Sequence, residues 1–413
     1  MINQEEIFGA ALGLQSPWYI SKIEFNKFEE GKYFSGELHL YIEFEVGSKF
    51  LDKAQGQLCP IHDTVERTWR HSNFFQHTCY LHCWVPRIIT TEGLVEQVQV
   101  PWARASSSFT LLFEAMAMML VNEGMSLSAA GRTVEEDGRV IGRIMDWYVQ
   151  EAINDQPLEQ AKMVGIDEVS SKKGHNYLTI LTDSKERKVI GIGVGKDVKA
   201  VEEALKEMEK RGAQREHIEK ASIDLSPAYT SAVLKKLPNA QIVYDRFHLE
   251  QLLSKAVDEV RKIEQVEANE LKKSKFIWLT NKINLTERQT KKIHYLSKCF
   301  PSLGKAYQLK ERFKQIWNNA YHKPSLRDFK KWIKMAERSK IQPIIKFINT
   351  LKSHMSGIVT YFKSLITNAF AEQINSSIQQ IKRIARGYRN MENFKTMIYF
   401  KLGKLVINPL NMA

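Results

Sequence analysis

Between Met163 and Tyr244 the chain switches between strand and helix patterns in an order that few architectures accept. Three short runs, Met163 to Val169, Asn176 to Thr182 and Lys188 to Gly195, read as successive strands separated by Lys172-Lys173-Gly174 and Asp183-Ser184. Asp197 then caps a helix that carries Val198, Val201, Ala204, Leu205 and Met208 on one face. A strand at Ala221 to Asp224, a helix from Pro227 to Leu237 and a strand at Gln241 to Tyr244 complete the order βββαβαβ. Such an order requires a mixed sheet from whose strand ends acidic residues project.

That order is the one of a ribonuclease H-like domain, so the expected fold class is α/β. The rest of the 413-residue chain divides around it. Residues 1–105 read as a β-rich module: Leu38, Leu40, Ile42, Phe44 and Val46 alternate strictly, and Tyr80 to Ile89 and Val95 to Val100 flank the turn Thr90-Thr-Glu-Gly93. Nothing before about residue 105 is expected to be helical. Residues 106–155 predict three short helices: an apolar run from Phe109 to Val121, a second helix behind the cap Ser126, and a third from Asp137 carrying Arg139 and Arg143. With the tight turn at Asn122-Glu123-Gly124, this triplet has the form of a helix-turn-helix whose last helix enters a major groove; such triplets are also ordinary packing units. Residues 156–250 form the first part of the α/β domain, 251–354 a Lys-rich helical insertion, and 355–413 its second part. In that last part Phe370, Ile374, Ile378, Ile381 and Ala385 stripe one face of a helix expected from Ser364 to Arg386.

Charge divides the chain as sharply. Residues 1–250 hold 28 Lys+Arg against 36 Asp+Glu (−8), whereas residues 251–413 hold 32 against 11 (+21). A field of that sign on one half attracts a polyanion, and nucleic acid is the commonest one. Aromatic residues stand among the lysines: Phe276, Trp278, Tyr295, Phe313, Trp317, Tyr321, Phe329 and Trp332. They are either stacking surfaces for bases or helix cores beneath a solvated lysine face. No run of about 18 apolar residues occurs and Met1 to Ser16 lacks a basic start with an apolar core, so a cytoplasmic, non-membrane protein is expected. Four cysteines, Cys59, Cys79, Cys83 and Cys299, exclude a disulfide scaffold, and the clustering of three points to a metal or to nothing.

Three acids stand out. Asp167 interrupts the apolar run Val164-Gly165-Ile166, Asp224 ends Ser222-Ile223, and Glu372 is one of two acids after residue 340. A carboxylate in such a place is costly unless it meets a cation or hydrogen-bond donors. Hard oxygen ligands suit Mg²⁺, and a pair of ions about 4 Å apart serves phosphodiester chemistry. Taken singly, each acid is as readily a turn, cap or surface residue.

At these residues the sequence resembles the ISL3 family of bacterial insertion-sequence transposases. The motifs are Gly165-Ile-Asp-Glu-Val-Ser-Ser-Lys-Lys-Gly-His-Asn-Tyr177, Asp224 with Pro227-Ala-Tyr229, Tyr244-Asp-Arg-Phe-His248, and Asn368-Ala-Phe-Ala-Glu372 through Lys382-Arg-Ile-Ala-Arg-Gly-Tyr-Arg-Asn390. The likeness runs from roughly Trp18 to the C-terminus. It implies that Asp167, Asp224 and Glu372 are the acid triad of a DDE transposase using two Mg²⁺ or Mn²⁺ ions. Asp245 is the rival for the second acid, since it too follows a strand, but Asp245-Arg-Phe-His248 resembles a family element beside the site. The resemblance also implies a zinc-finger-like N-terminal module. Here Cys59-Pro-Ile-His62 keeps ligand spacing while a later Cys-x-x-Cys is missing, so Cys59, His62, Cys79 and Cys83 are the available ligands.

The implied activity is cut-and-paste transposition: hydrolysis at the element's terminal inverted repeats leaves 3′-hydroxyls, which attack target DNA directly. Arg139 and Arg143 on the third helix, Arg246 and His248 beside the acids, and Lys382, Arg383, Arg386 and Arg389 after the glutamate are the expected DNA contacts. Joining two ends implies at least a homodimer on DNA, in a nucleoid-associated bacterial protein. The rival readings are a structure-specific nuclease of the same fold and a decayed transposase acting as a repressor.

Overall fold

A computed structural model of the chain describes residues 3–27, 36–75, 77–158, 161–172, 174, 176–320, 325–364 and 369–411. Helix α1 (Gln4–Ala11), closed by an Asn3/Glu6 capping box, precedes a sheet built from β1 (Trp18–Lys27), β2 (Gly36–Phe44), β5 (Ile61–Phe74), β6 (His77–Ile89) and β7 (Val95–Gln97), with β3 (Phe50–Asp52) and β4 (Gln57–Cys59) paired beside it. The sheet order is β1-β2-β6-β5, with β7 on β6. Helix α1 is a departure from the sequence reading; its cap residues supply the signal that apolar periodicity did not. The alternation expected in β2 is present, with Leu38, Leu40 and Ile42 buried, while Val46 lies past the strand end and is fully exposed.

Helices α2 (Leu111–Asn122), α3 (Leu127–Thr133) and α4 (Gly138–Asp155) follow, capped by Thr110, Ser126 and Asp137. Each cap oxygen accepts a backbone N–H of the first turn, which supplies a partner that the helix itself cannot. The buried salt bridge between Arg104 and Glu114 (3.0 Å), with Ser107 and Tyr148 also donating to Glu114, fixes α2 and α4 to the preceding segment.

The second sheet holds β8 (Met163–Lys172), β9 (Asn176–Asp183), β10 (Lys188–Val194), β11 (Lys220–Ile223) and β12 (Gln241–Tyr244) in the order β10-β9-β8-β11-β12. β8, β9 and β10 are antiparallel, whereas β11 runs parallel to both β8 and β12, so the sheet is mixed. Helix α5 (Val198–Lys210) links β10 to β11 and α6 (Pro227–Lys236) links β11 to β12. Gly191 and Gly193 let α5 lie directly on β10: a Cβ at Gly193 would stand 1.8 Å from the Ala200 carbonyl oxygen.

From Asp245 the chain enters α7 (Arg246–Gln265), α8 (Lys275–Leu279), α9 (Glu287–Cys299), α10 (Pro301–Ala320), α11 (Leu326–Glu337), α12 (Gln342–Ser353) and α13 (Met355–Ser364). Their core gathers Trp278, Phe313, Trp317, Phe329 and Trp332, all essentially inaccessible, so these aromatics pack the insertion and do not stack on bases. Phe276 and Tyr295 remain exposed, and Tyr321 lies outside the described residues. Helix α14 (Ala369–Ile384) and α15 (Met391–Leu402) close the chain; of the helix expected from Ser364 to Arg386, residues 365–368 also lie outside the described ones. Ile374 and Ile378 of α14 and Phe394 and Ile398 of α15 share one core with Ile141, Ile144 and Tyr148 of α4 and with Leu178, Ile180 and Ile192 of the sheet. Helices α2 to α4 therefore share one core with the second sheet and the last two helices. No described helix is long and apolar enough to cross a membrane.

Candidate active site

Register decides which acids meet. Ile166 pairs with Ile223, and Ile223 with Tyr244, across β8, β11 and β12. The residues that follow stand level, Asp167 within β8 and Asp224 and Asp245 just past the ends of β11 and β12, whose neighbouring strands run about 4.8 Å apart. Asp167 and Asp245 are buried and Asp224 is half-buried. The Asp167 carboxylate accepts from the Glu168 amide (2.8 Å) and from Asn375 Nδ2 (2.8 Å). Burial pushes its pKa up to about 6, with Asp224 and Asp245 adding repulsion and His248 opposing it. Asp224 is likewise raised by burial, against the Ser226 amide, His248 and Lys196.

Glu372 sits in the first turn of α14, where the helix N-terminus favours a carboxylate. Partial burial and Asp245 raise its pKa, and His248 counteracts them. Helix α14 is held to the Asp167 strand by hydrogen bonds from Asn375 to Asp167 and Glu168 and from Gln379 and Lys382 to the Ser170 carbonyl. His248 is the common neighbour of the four carboxylates; its Nε2 lies 3.7 Å from Asp245, and its ring lines a cleft of about 250 Å³ with Asp224, Ser226 and Lys255.

None of Asp167, Asp224 and Glu372 has a Lys or Arg within ion-pair distance among the described residues, and all three pKa values are raised. Such an excess of desolvated, hard oxygen donors fits a divalent cation. As they stand, no three of the described His, Cys, Asp and Glu side chains are close enough to share one ion. The three predicted acids share one electrostatic neighbourhood without forming a closed cage.

The zinc expectation is corrected. Cys79 and Cys83 lie four residues apart on strand β6, both facing the apolar core with Leu81 and Val85. Four strand residues span about 13 Å, whereas two sulfurs on one zinc at about 2.3 Å each stand no more than about 4.6 Å apart. Cys59 is buried opposite Phe50 on β4, and His62 is exposed on β5. The four residues do not converge. Burial raises both the Cys79 and Cys83 thiols to about 12, the behaviour of core side chains and not of ligands.

The expected DNA contacts separate into two groups. Arg143, Arg383, Arg386 and Arg389 are exposed, and Arg139 is exposed while clamped to Asp137 (2.9 Å). Arg246, by contrast, is bound to Glu250 and Asn318 between α7 and α10, and Lys382 is committed to Ser170. Two residues of the site had been given no role in the sequence: Asn375, which shares the polar face of its helix with Glu372, and Lys196, which stands over the Tyr177 ring (4.2 Å) in the field of Asp224.

Comparison with known proteins decides the family. A transposase family model matches residues 164–398, and a model described as the helix-turn-helix domain of transposase family ISL3 matches residues 98–149. The chain belongs to the ISL3 family of transposases. It is 24% identical over 371 residues to the transposase for insertion sequence element IS1001 of Bordetella parapertussis, covering 86% of this chain and 89% of that protein. It is 25% identical over 361 residues to the transposase for insertion sequence element IS1557 of Mycobacterium tuberculosis, covering 78% and 79%. This transposase is therefore a DDE-type enzyme with a helix-turn-helix segment on the N-terminal side of its catalytic half.

Proposed function

We propose that this transposase cuts its element at the terminal inverted repeats and joins the ends to target DNA, with Asp167, Asp224 and Glu372 as the acids that hold two Mg²⁺ or Mn²⁺ ions. The observation that carries the reading is the level placement of Asp167 and Asp224 on adjacent parallel strands, with α14 tied back to Asp167 through Asn375. The strand order supports a ribonuclease H-like domain made of residues 156–250 and 355–413, interrupted by the insertion 251–354 and preceded by a β-rich module (1–105) and a helix-turn-helix (106–155).

When bound, the cations supply positive charge to the attacking and departing oxygens of the scissile phosphodiester. The protein's part is positioning. Asp167 is oriented by two donors, one on each carboxylate oxygen, which leaves each oxygen a lone pair for a cation. Asp224 borders the open cleft, where a phosphate can reach it. Glu372 is exposed in the first turn of α14, where its longer side chain can turn towards the aspartates when DNA enters. Arg383, Arg386 and Arg389 neutralise backbone phosphates beside the cut. Hydrolysis frees a 3′-hydroxyl at each end; that hydroxyl displaces a target-strand 3′-oxygen at the attacked phosphate, and no covalent bond to the protein forms. Two ends joined to one target call for a homodimer on DNA, acting on cytoplasmic, nucleoid-borne DNA.

The test uses linear duplexes ending in the terminal inverted repeat, with Mg²⁺ and a plasmid target. Cleavage and strand transfer should both vanish in Asp167→Ala, Asp224→Ala and Glu372→Ala while DNA binding persists. Cleavage without any joining by the native enzyme would favour a nuclease, and an active Asp224→Ala beside a dead Asp245→Ala would move the second acid to Asp245.

A further inference from the structure

The third helix of the helix-turn-helix does not face solvent alone. Its N-terminal turns and the start of α15 enclose an open cleft of about 550 Å³, lined among others by Arg139, Gly142, Arg143, Asn390 and Asn393. Gly142 lies across from Asn393: a Cβ there would meet Asn393 Nδ2 at 3.5 Å, an ordinary van der Waals contact. Thr396 of α15 donates to Asp146 of α4 (2.6 Å), and Lys401 donates to the Asn122 carbonyl (2.6 Å). The turn before α15, with Arg386 and Gly387 at positive φ, is anchored on the other side by Lys172, which donates to the Arg389 carbonyl (3.1 Å). One rigid block thus carries the reading helix, the α14–α15 turn and the Asp167 strand.

Of the charged groups that line this cleft, Arg139 is spent on Asp137 and Asp146 takes the Thr396 hydroxyl, but Arg143 has no such partner among the described residues. Arg143, Arg383, Arg386 and Arg389 have no carboxylate within 4 Å among the described residues, unlike Arg87, Arg215 and Arg261, which do. Asn390 caps α15 through the Glu392 amide (2.9 Å), but the side-chain amide of the half-buried Asn393 makes no hydrogen bond among the described residues. An amide left without a partner beside an unpaired guanidinium on a helix start is a base-reading pair in waiting. In the major groove a side-chain amide pairs bidentately with adenine, and a guanidinium with guanine.

We propose that the element end is read from both walls of this cleft: Arg143 from the helix-turn-helix, and Asn393 from the catalytic half, each contact a base edge of the same duplex, with Arg386 and Arg389 on the flanking phosphates. The inference rests on the DNA-reading role of α4. It makes Asn393 a specificity-determining residue outside the helix-turn-helix, and it fixes the spacing from recognised bases to cut phosphate through the protein's own core.

The experiment is a binding scan in which each base pair of the terminal inverted repeat is replaced singly, at fixed moderate salt, with the full-length protein and its Asn393→Ala and Arg143→Ala variants. Asn393→Ala should lose roughly tenfold in affinity for the intact repeat. One A·T position costly to the native protein should become neutral in that variant, while affinity for random duplex stays unchanged. A uniform loss at every sequence, or no loss, would overturn the inference. Arg143→Ala separates the two layers: if it too leaves the whole scan unaltered, the DNA-reading role of α4 fails, whereas altered reading by Arg143→Ala with none by Asn393→Ala refutes the second wall alone. Unchanged melting of both variants, followed in parallel, excludes a folding defect as the cause.

Discussion

Asp167→Asn should stabilise the metal-free protein while abolishing chemistry. The carboxyl is 7% exposed, and its pKa stands at about 6 against an ordinary 3.8. At about 1.36 kcal/mol per unit, the charged form costs the folded state roughly 3 kcal/mol, an upper bound for a group whose surroundings can relax. Because the folded pKa is raised, the folded state holds the proton more tightly than the unfolded chain does. The penalty is therefore absent below about pH 4, grows as the pH rises to about 6, and is complete above that. Asparagine keeps the acceptor for the Glu168 amide, but its Nδ2 then confronts Asn375 Nδ2. Turning the Asn375 amide resolves this, since its Oδ1 is buried without a hydrogen-bond partner and becomes the acceptor, at the loss of the 3.3 Å bond to the Glu168 carbonyl, about 1 kcal/mol. The net expectation is a gain of about 2 kcal/mol near pH 8 that passes through zero between about pH 4 and 5 and becomes a loss of about 1 kcal/mol at lower pH. Urea denaturation in a chelator across this range measures it. Excess Mg²⁺ should then stabilise the native protein and leave the variant unmoved, because a cation that binds only the folded state adds stability by mass action. A variant less stable than the native protein near pH 8, or a difference independent of pH, would refute the account of Asp167 as an uncompensated buried charge.

Two further outcomes follow from buried groups in the N-terminal module. His71, its Nδ1 2.8 Å from the Thr110 hydroxyl, is held down to about pKa 4 by burial and by Arg70. The unfolded chain takes up its proton first, so stability should be full above about pH 6.5 and fall towards pH 4, and His71→Gln should flatten that fall in urea titrations. Cys59, Cys79 and Cys83 are buried, with Cys79 and Cys83 raised to about 12, whereas Cys299 is exposed. A thiol-alkylating reagent should therefore modify Cys299 alone in the native state, and a zinc chelator should neither speed the labelling of the other three nor release stoichiometric metal.

Why some of this was legible and some was not comes down to which contacts are local. The strands β8 to β12 are nearly continuous apolar runs closed by turn residues, and the caps Ser126, Asp137 and Asp197 lie one residue before the helices they start. Those signals need no partner. The cysteine spacing was not weighed against the strand that the sequence itself suggests: four residues bring side chains together on a helix and separate them on a strand, and β5 and β6 are strands of 14 and 13 residues. The aromatic residues of the insertion were undecided in the sequence, since a tryptophan between lysines has the same neighbours in a core as on a surface. Helix packing resolves them, turning Trp317 and Trp332 inward and leaving Phe276 outside. The alignment of Asp245 with the other two aspartates depends on register between strands, which no single sequence displays.

That alignment bears on which aspartate serves as the second acid. Asp245 is 5% exposed, accepts from the Phe247 amide (3.1 Å) as the cap of α7, and faces His248. Asp224 also accepts a local amide, that of Ser226 (2.8 Å), but it is half-buried and borders the cleft. A ligand to an ion that must touch a phosphate has to be reachable by that phosphate, and a cap carboxylate cannot turn away without unfastening its helix. On this reading Asp245 acts through its field: its charge raises the pKa of both Asp167 and Glu372. On this reasoning Asp245→Asn should weaken cation affinity while retaining residual cleavage at high Mg²⁺, and Asp224→Asn should retain none at any concentration.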